Sequence, residues 1–278
     1  MKIFHSHHIC FLALCISGIL LFIMTPSCSE DFSDSPKMPF SPTIVSVAHR
    51  GYQVKGAVEN TADAYRFARE AGFQFGETDI QWTKDNIPVC CHDNYFFDHR
   101  THDSVSISQY TLEELRGFNY RGTQISTLEE VMDTCKSHGL GLYLDRFTSF
   151  EGERKERIYN LIDRFGKENV CYLFGWSQRA GIAQVLEYDS CATIGILYFK
   201  TIDPAMVEFA NSISTPNNKI ILDLDHSTNP IDTLVKYRQL LKDNISFGFF
   251  TINNKKTYKN YLPYASSITS DIISEKML

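Results

Sequence analysis

No basic cluster interrupts this chain of 278 residues, whose formal net charge is −6. That lack excludes the electrostatic footprint of a nucleic-acid binder. Its 8 cysteines have no repeated spacing. Cys10, Cys15 and Cys28 fall in the N-terminal stretch, leaving Cys90, Cys91, Cys135, Cys171 and Cys191, an odd set lying mostly in apolar runs. A disulfide framework is thereby excluded in favour of buried free thiols. Zinc-type Cys/His spacing is also missing. So is any internal repeat, which excludes a repeat architecture. No acidic residue precedes Glu30.

That last absence frames a basic start followed by the apolar run Ile9–Met24, the pattern of an export signal. The run is shorter than the ~20 residues that a membrane-spanning helix needs. Ser27-Cys28, followed by acidic residues, resembles a bacterial lipoprotein signal in which Cys28 is lipidated and becomes the mature N-terminus. We therefore expect a signal over 1–28, a solvated Ser/Asp/Pro-rich tether over 29–42, and one domain over 43–278. The implied location is the bacterial outer membrane, held by the lipid, and the acidic run after Cys28 resembles the export tag of surface-exposed lipoproteins; ordinary cleavage to a periplasmic or secreted soluble form is the alternative.

What is present from Ile44 onward is an alternation of short apolar runs and amphipathic segments, with hydrophobic residues at 43% of the chain. Strands are expected over 44–48, 75–81, 88–91, 141–145, 170–174, 193–198, 219–224, 246–251 and 267–270. Helices are expected over 61–71, 127–138, 153–165, 178–187, 204–211, 230–242 and 255–262. Asn60 reads as the cap of the first helix. This order favours a parallel sheet covered by helices. It holds one strand more than the eight of a closed barrel. Only Thr83–Pro88 separates the second strand from the third, whereas a parallel return needs about a dozen residues. Residues 88–92 must therefore return antiparallel as a hairpin, and a TIM-type (β/α)8 barrel remains, with an irregular insertion over 93–126. An open doubly wound sheet is the alternative. In a barrel the chemistry is expected at the C-terminal ends of the strands.

Glu77 and Asp79, two apart on a strand, share a face. Paired carboxylates repel unless a cation lies between them, and hard divalent ions take oxygen ligands of this kind. A hairpin turn centred on Asp85 sets His92 across from Thr78, beside Asp79. His49 ends the neighbouring first strand. Two histidines and two acids thus converge on one rim, with Arg50 beside them.

The segments AHRG…ENT (from Ala48), ETDIQWTKDNIPVCCHD (from Glu77) and STLEEVM (from Ser126) resemble the glycerophosphodiester phosphodiesterase family. FFTINN (249–254) and ITSD (268–271) extend the resemblance to the end of the domain. The resemblance implies a TIM-barrel hydrolase that splits glycerophosphodiesters into glycerol 3-phosphate and an alcohol, with one divalent cation, Ca²⁺ or Mg²⁺. In that family a glycerol hydroxyl is thought to attack phosphorus, giving a cyclic phosphate that water opens. By position, His49 and His92 become general acid and base, Arg50 the phosphate grip, and Glu77, Asp79 and Asp145 the metal ligands. Glu59, Trp176 and Lys200 are secondary candidates, and His226 ends a strand near the rim. Gly51 is expected to let the backbone pass close to phosphate. The family's usual Glu-x-Lys is Asp145-Arg146-Phe147 here. Alternation points Arg146 away from the face of Asp145 unless a bulge intervenes, so Phe147 stands where the family's cation would be. The implied partners are a small glycerophosphodiester and the membrane, without nucleic acid or a protein partner. Alternatives are another phosphodiester substrate (a lysophospholipid, a phosphoinositol or a sugar phosphodiester) or a phosphodiester-binding lipoprotein without activity.

Overall fold

The computed structural model describes residues 45–278. The expected signal, the tether and Cys28 lie outside them. Eight parallel strands close on themselves: β1 (Val45–Ala48), β2 (Phe75–Trp82), β6 (Gly141–Asp145), β7 (Val170–Gly175), β8 (Thr193–Tyr198), β9 (Lys219–Asp225), β10 (Ile245–Phe250) and β11 (Ser267–Ser270). β11 pairs back onto β1 in parallel, and β1 pairs with β2, which completes the ring. The ninth apolar run is β3 (Pro88–Cys90), antiparallel to β2 with Ile80 opposite Cys90. The hairpin register anticipated from the short Thr83–Pro88 connection is the one observed.

Strand alternation divides the core in two. Val45, Val47, Phe75, Tyr143, Cys171, Leu173 and Ile221 point inward and fill the barrel. Their neighbours point outward, among them Leu142, Leu144, Tyr172, Phe174, Ile220 and Leu222, into a larger core beneath the helices. Those helices are α1 (Ala62–Glu70), α3 (Leu128–His138), α4 (Gly152–Phe165), α5 (Ile182–Tyr188), α6 (Pro204–Ile213), α7 (Ile231–Arg238) and α8 (Lys255–Tyr261). Local signals fix their ends. At α3, Thr127 and Glu130 form a reciprocal capping box and Gly139 closes the helix in the left-handed region, φ 65°. α4 buries Ile158, Leu161, Ile162 and Phe165, the apolar face legible in the sequence. The span 178–187 divides into a 3-10 segment, Trp176–Gly181, and then α5.

The insertion over 93–126 is more ordered than expected. It holds the hairpin β4 (Tyr95–Phe97) and β5 (Ser104–Ser106) and the short helix α2 (Leu112–Arg116). Val105, Ile107, Leu115, Tyr120 and Ile125 pack with Val89 and Cys91 into a core of their own. Among the described residues, Cys90, Cys91, Cys135 and Cys171 are free and buried; Cys191 is not among them. No helix in this region is long and apolar enough to cross a membrane.

Candidate active site

Where the strands end, inward-facing residues become polar. His49, Arg50, Glu77, Asp79, His92 and Asp145 line one cavity of about 420 Å³ at the C-terminal mouth of the barrel. Glu77 and Asp79 lie on β2 and Asp145 ends β6, where it is level with Asp79. Each offers an oxygen within 4.8 Å of the others. Glu77 is 5% exposed and Asp79 1%. Burial pushes the Glu77 carboxyl well up, and the charges of Asp79 and Asp145 add to it. Asp145 is pushed up by burial and then by Asp79. Three carboxylates forced together, two of them buried and one half-buried, are costly unless a cation joins them. The donor set is oxygen only, and so fits a hard divalent ion such as Ca²⁺ or Mg²⁺.

Protein cations partly offset this charge. Arg50 Nε lies 3.5 Å from Asp79 Oδ2, and Arg146 Nε 3.3 Å from Asp79 Oδ1. Burial pulls the Arg50 guanidinium down, but Asp79, Glu59 and Glu77 outweigh it and leave it raised. The Arg50 backbone N–H donates to Glu77 Oε2 at 2.9 Å. His49 is held from behind: its Nδ1 lies 2.7 Å from Asp271 Oδ1, while its Nε2 faces Glu77 Oε2 at 4.0 Å. The His49 hydrogen bond holds the Asp271 carboxyl below its usual range. His92 reaches the cavity from the end of the hairpin, with Nδ1 2.9 Å from Asp93 and its carbonyl held by Gln81.

Several residues differ from their sequence reading. Asn60 is not the cap of α1; Thr61 takes that place, with no side-chain cap bond. Asn60 adopts φ 60° and turns inward, donating to Asp79 Oδ2 at 3.0 Å and accepting from Thr78 and Tyr65 hydroxyls at 2.9 and 3.1 Å. Gly51 is constrained by helix packing, since a Cβ there would lie 2.6 Å from that of Ala64. Arg146 does reach the Asp79 face, through a left-handed residue (φ 60°) and not a bulge. The same turn sends Phe147 outward into the helix-side core, 0% exposed against Phe150, Tyr172 and Phe174. Phe147 therefore does not occupy a position facing the cavity.

Glu59 stands behind Arg50, paired with it at 3.3 Å and with Arg121 at 2.9 Å. Trp176 packs edge-on to Tyr198 and Phe209 and does not line the cavity. Nor does Lys200, which offers its carbonyl to Asn229. His226 lines the cavity with Nδ1 3.1 Å from the Phe250 carbonyl. Asp271, Asp223 and Asp225 are the residues that sequence reasoning missed. The signal for the last two is Asp223-x-Asp225 at the end of a strand, the same i, i+2 spacing as Glu77-x-Asp79.

A model of the glycerophosphoryl diester phosphodiesterase family matches residues 49–195. The chain belongs to this family. Human glycerophosphodiester phosphodiesterase 1 is 34% identical over 112 residues, covering 37% of this chain and 33% of the human protein. The matched stretch thus spans about a third of the length of the first curated relatives. Among solved structures, an Oleispira antarctica phosphodiesterase in complex with the product sn-glycerol-3-phosphate aligns with TM-score 0.65 and 22% identity, covering 82% of this chain and 92% of that one. A Parabacteroides distasonis glycerophosphodiester phosphodiesterase aligns with TM-score 0.61 and 18% identity, covering 82% and 92%. At these identities the likeness is one of fold: the family's closed barrel of eight parallel strands, which is the arrangement found here.

Asp223 carries a stability prediction. Burial and then the charge of Asp145 push its carboxyl from 3.8 up to about 7. Between those values the folded chain keeps a proton that the unfolded chain has released, so stability falls as pH rises. Asp223→Asn, which carries no charge at any pH, is expected to raise the melting temperature of metal-free protein at pH 8 and to leave it nearly unchanged at pH 4. The upper bound is roughly 4 kcal/mol. Calorimetry at both pH values checks this; parallel profiles for the two proteins would contradict it.

Proposed function

We propose that the chain is a divalent-metal-dependent hydrolase that splits glycerophosphodiesters into sn-glycerol 3-phosphate and an alcohol. One observation carries the reading: two buried carboxylates and a half-buried third, two histidines and Arg50 converge on one cavity at the mouth of a barrel of this family. The names of the relatives and the product bound in the Oleispira protein support the substrate class.

In this reading Glu77, Asp79 and Asp145 hold one Ca²⁺ or Mg²⁺. When bound, the ion supplies a Lewis acid that neutralises charge on phosphoryl oxygens. Arg50 adds planar, directional donors to the phosphate, and its anchorage to Glu59 fixes their direction. His49 and His92 serve as the proton-transfer pair. One takes the proton from the attacking oxygen as it bonds to phosphorus. The other protonates the alcohol oxygen as its P–O bond breaks. Asp271 holds the His49 ring so that Nε2 faces the cavity. Lipidation at Cys28, and with it an outer-membrane location, belongs to the same proposal; it rests on the residues around Cys28 and is tested by mass spectrometry of the mature N-terminus.

The test is hydrolysis of glycerophosphocholine and glycerophosphoethanolamine with Ca²⁺, with Mg²⁺ and with chelator. Release of glycerol phosphate that stops with chelator is expected; turnover indifferent to chelator would overturn the metal assignment. Metal binding is also expected to appear without turnover. An ion at a hundred times its dissociation constant stabilises the fold by about 2.7 kcal/mol. The melting temperature should rise with the ion, and rise less at pH 5 than at pH 8, because protons compete for carboxylates already pushed up.

A further inference from the structure

The cavity has a second wall that the chemistry above does not use. Asp223 and Asp225 are two apart on β9 and both line it. Phe250 on β10 is level with Asp225. On the other side, Tyr198 is level with Leu224, so the next residue, Phe199, comes level with Asp225. Across this tier the mouth therefore reads Phe199, Asp225, Phe250. One tier deeper it reads Leu197, Asp223, Gly248.

Each part of this wall has an unmet capacity. Phe199 is 66% exposed, and its ring meets that of Phe250 at a centroid distance of 5.0 Å. Asp223 is 2% exposed, yet its Oδ1, inaccessible to water, has no hydrogen-bond partner among the described residues. A buried carboxylate oxygen without a partner is rare and calls for one. Gly248 lets its backbone pass close to this oxygen, since a Cβ there would lie 2.7 Å from Asp223 Oδ1. Asp225 is pinned by Ser227, whose backbone N–H and hydroxyl both donate to Oδ1, at 2.8 and 2.7 Å. The nearest group able to carry positive charge, His226, has its Nδ1 4.0 Å from Asp225 and turned to the Phe250 carbonyl.

We propose that this wall is the subsite for the alcohol arm of the substrate, and that it selects an ammonium alcohol: Asp225 supplies the charge, Asp223 an unpartnered acceptor oxygen one tier deeper, and Phe199 and Phe250 the aromatic faces. Carboxylates draw any cation, but exposed aromatic rings favour an organic ammonium over a hydrated metal ion. Among the described residues, the carboxylate group placed to hold a metal is Glu77, Asp79 and Asp145, which does not include this pair. A neutral polyol arm would leave the Asp225 charge uncompensated, and an anionic arm would be repelled.

This inference rests on the phosphodiesterase reading, so the experiment separates the two. Specificity constants are measured on glycerophosphocholine, glycerophosphoethanolamine and the neutral-armed glycerophosphoglycerol. Wild type should prefer the cationic arms by about tenfold. Asp225→Asn, which keeps an oxygen for Ser227, should abolish most of that preference, chiefly through KM for the cationic substrates. Phe199→Ala should reduce it several-fold, more for choline than for ethanolamine. A wild type without preference, or an Asp225→Asn variant that keeps it, would overturn the proposal. If no glycerophosphodiester is turned over, the phosphodiesterase reading fails by itself. The subsite is then judged by binding of choline alone, followed by saturation-transfer NMR. Binding lost in Asp225→Asn supports it, and absence of binding to wild type overturns it.

Discussion

His49→Ala is expected to lower kcat on glycerophosphodiesters by about a thousandfold, within the range for loss of a positioned acid or base. The geometry makes this a loss in rate more than in affinity. His49 is fixed on one side by Asp271, which in turn accepts from the Asn253 amide and donates its own backbone N–H to Asn253 Oδ1. The ring is therefore set before substrate arrives, with Nε2 placed for the proposed proton exchange. Alanine removes that exchange but leaves Arg50 and the three carboxylates in place, so KM should change little. Asp271→Asn should give a smaller loss, roughly ten- to a hundredfold, because the ring survives without its orienting charge. Steady-state kinetics with a folding control by circular dichroism checks both. A His49→Ala enzyme with wild-type kcat would remove His49 from the reaction.

Asn60→Ala is expected to cost at least about 3 kcal/mol of stability, and Asn60→Asp should not restore it. A helix cap would behave otherwise, losing about 1 kcal/mol to alanine and accepting aspartate as an equal. The difference arises because Asn60 is fully buried and holds Asp79, Thr78 and Tyr65 together. Alanine leaves the Thr78 hydroxyl without its acceptor and one Asp79 oxygen without a donor. It must also adopt a left-handed backbone that asparagine tolerates better. Aspartate would add a further charge beside three crowded carboxylates. Urea unfolding of the three proteins distinguishes the two accounts, and a loss near 1 kcal/mol with full rescue by aspartate would return Asn60 to the cap.

The strands were legible because alternation of apolar residues has a fixed period wherever a chain is extended. The same rule set Glu77 beside Asp79, and a count of residues between Trp82 and Val89 was enough to deliver His92 to them. Legibility stopped where the extended backbone stops. Arg50, Asn60 and Arg146 all have positive φ, at 55°, 60° and 60°. In each case the side chain goes where no strand or helix period would send it. That is why Arg146 was projected away from Asp79 and Phe147 toward it, the reverse of what is found. Asp271 was missed for another reason: its contact with His49 spans nearly the whole domain in sequence and depends on closure of β11 onto β1.

The separate core of the insertion bears on how the site comes apart. His92 follows directly from Cys91, which is buried in that satellite core, whereas His49 is carried by β1 and tied to the end of β11. The two imidazoles thus stand on different foundations. A fluctuation that loosened the insertion while the ring of strands stayed intact would strip the packing around Cys91 and leave His92 tied to β2 through Gln81 and the Cys91 backbone, while His49 kept its post. Such a site would be loosened on one side by a partial opening far smaller than global unfolding, and restored when the loop region repacks.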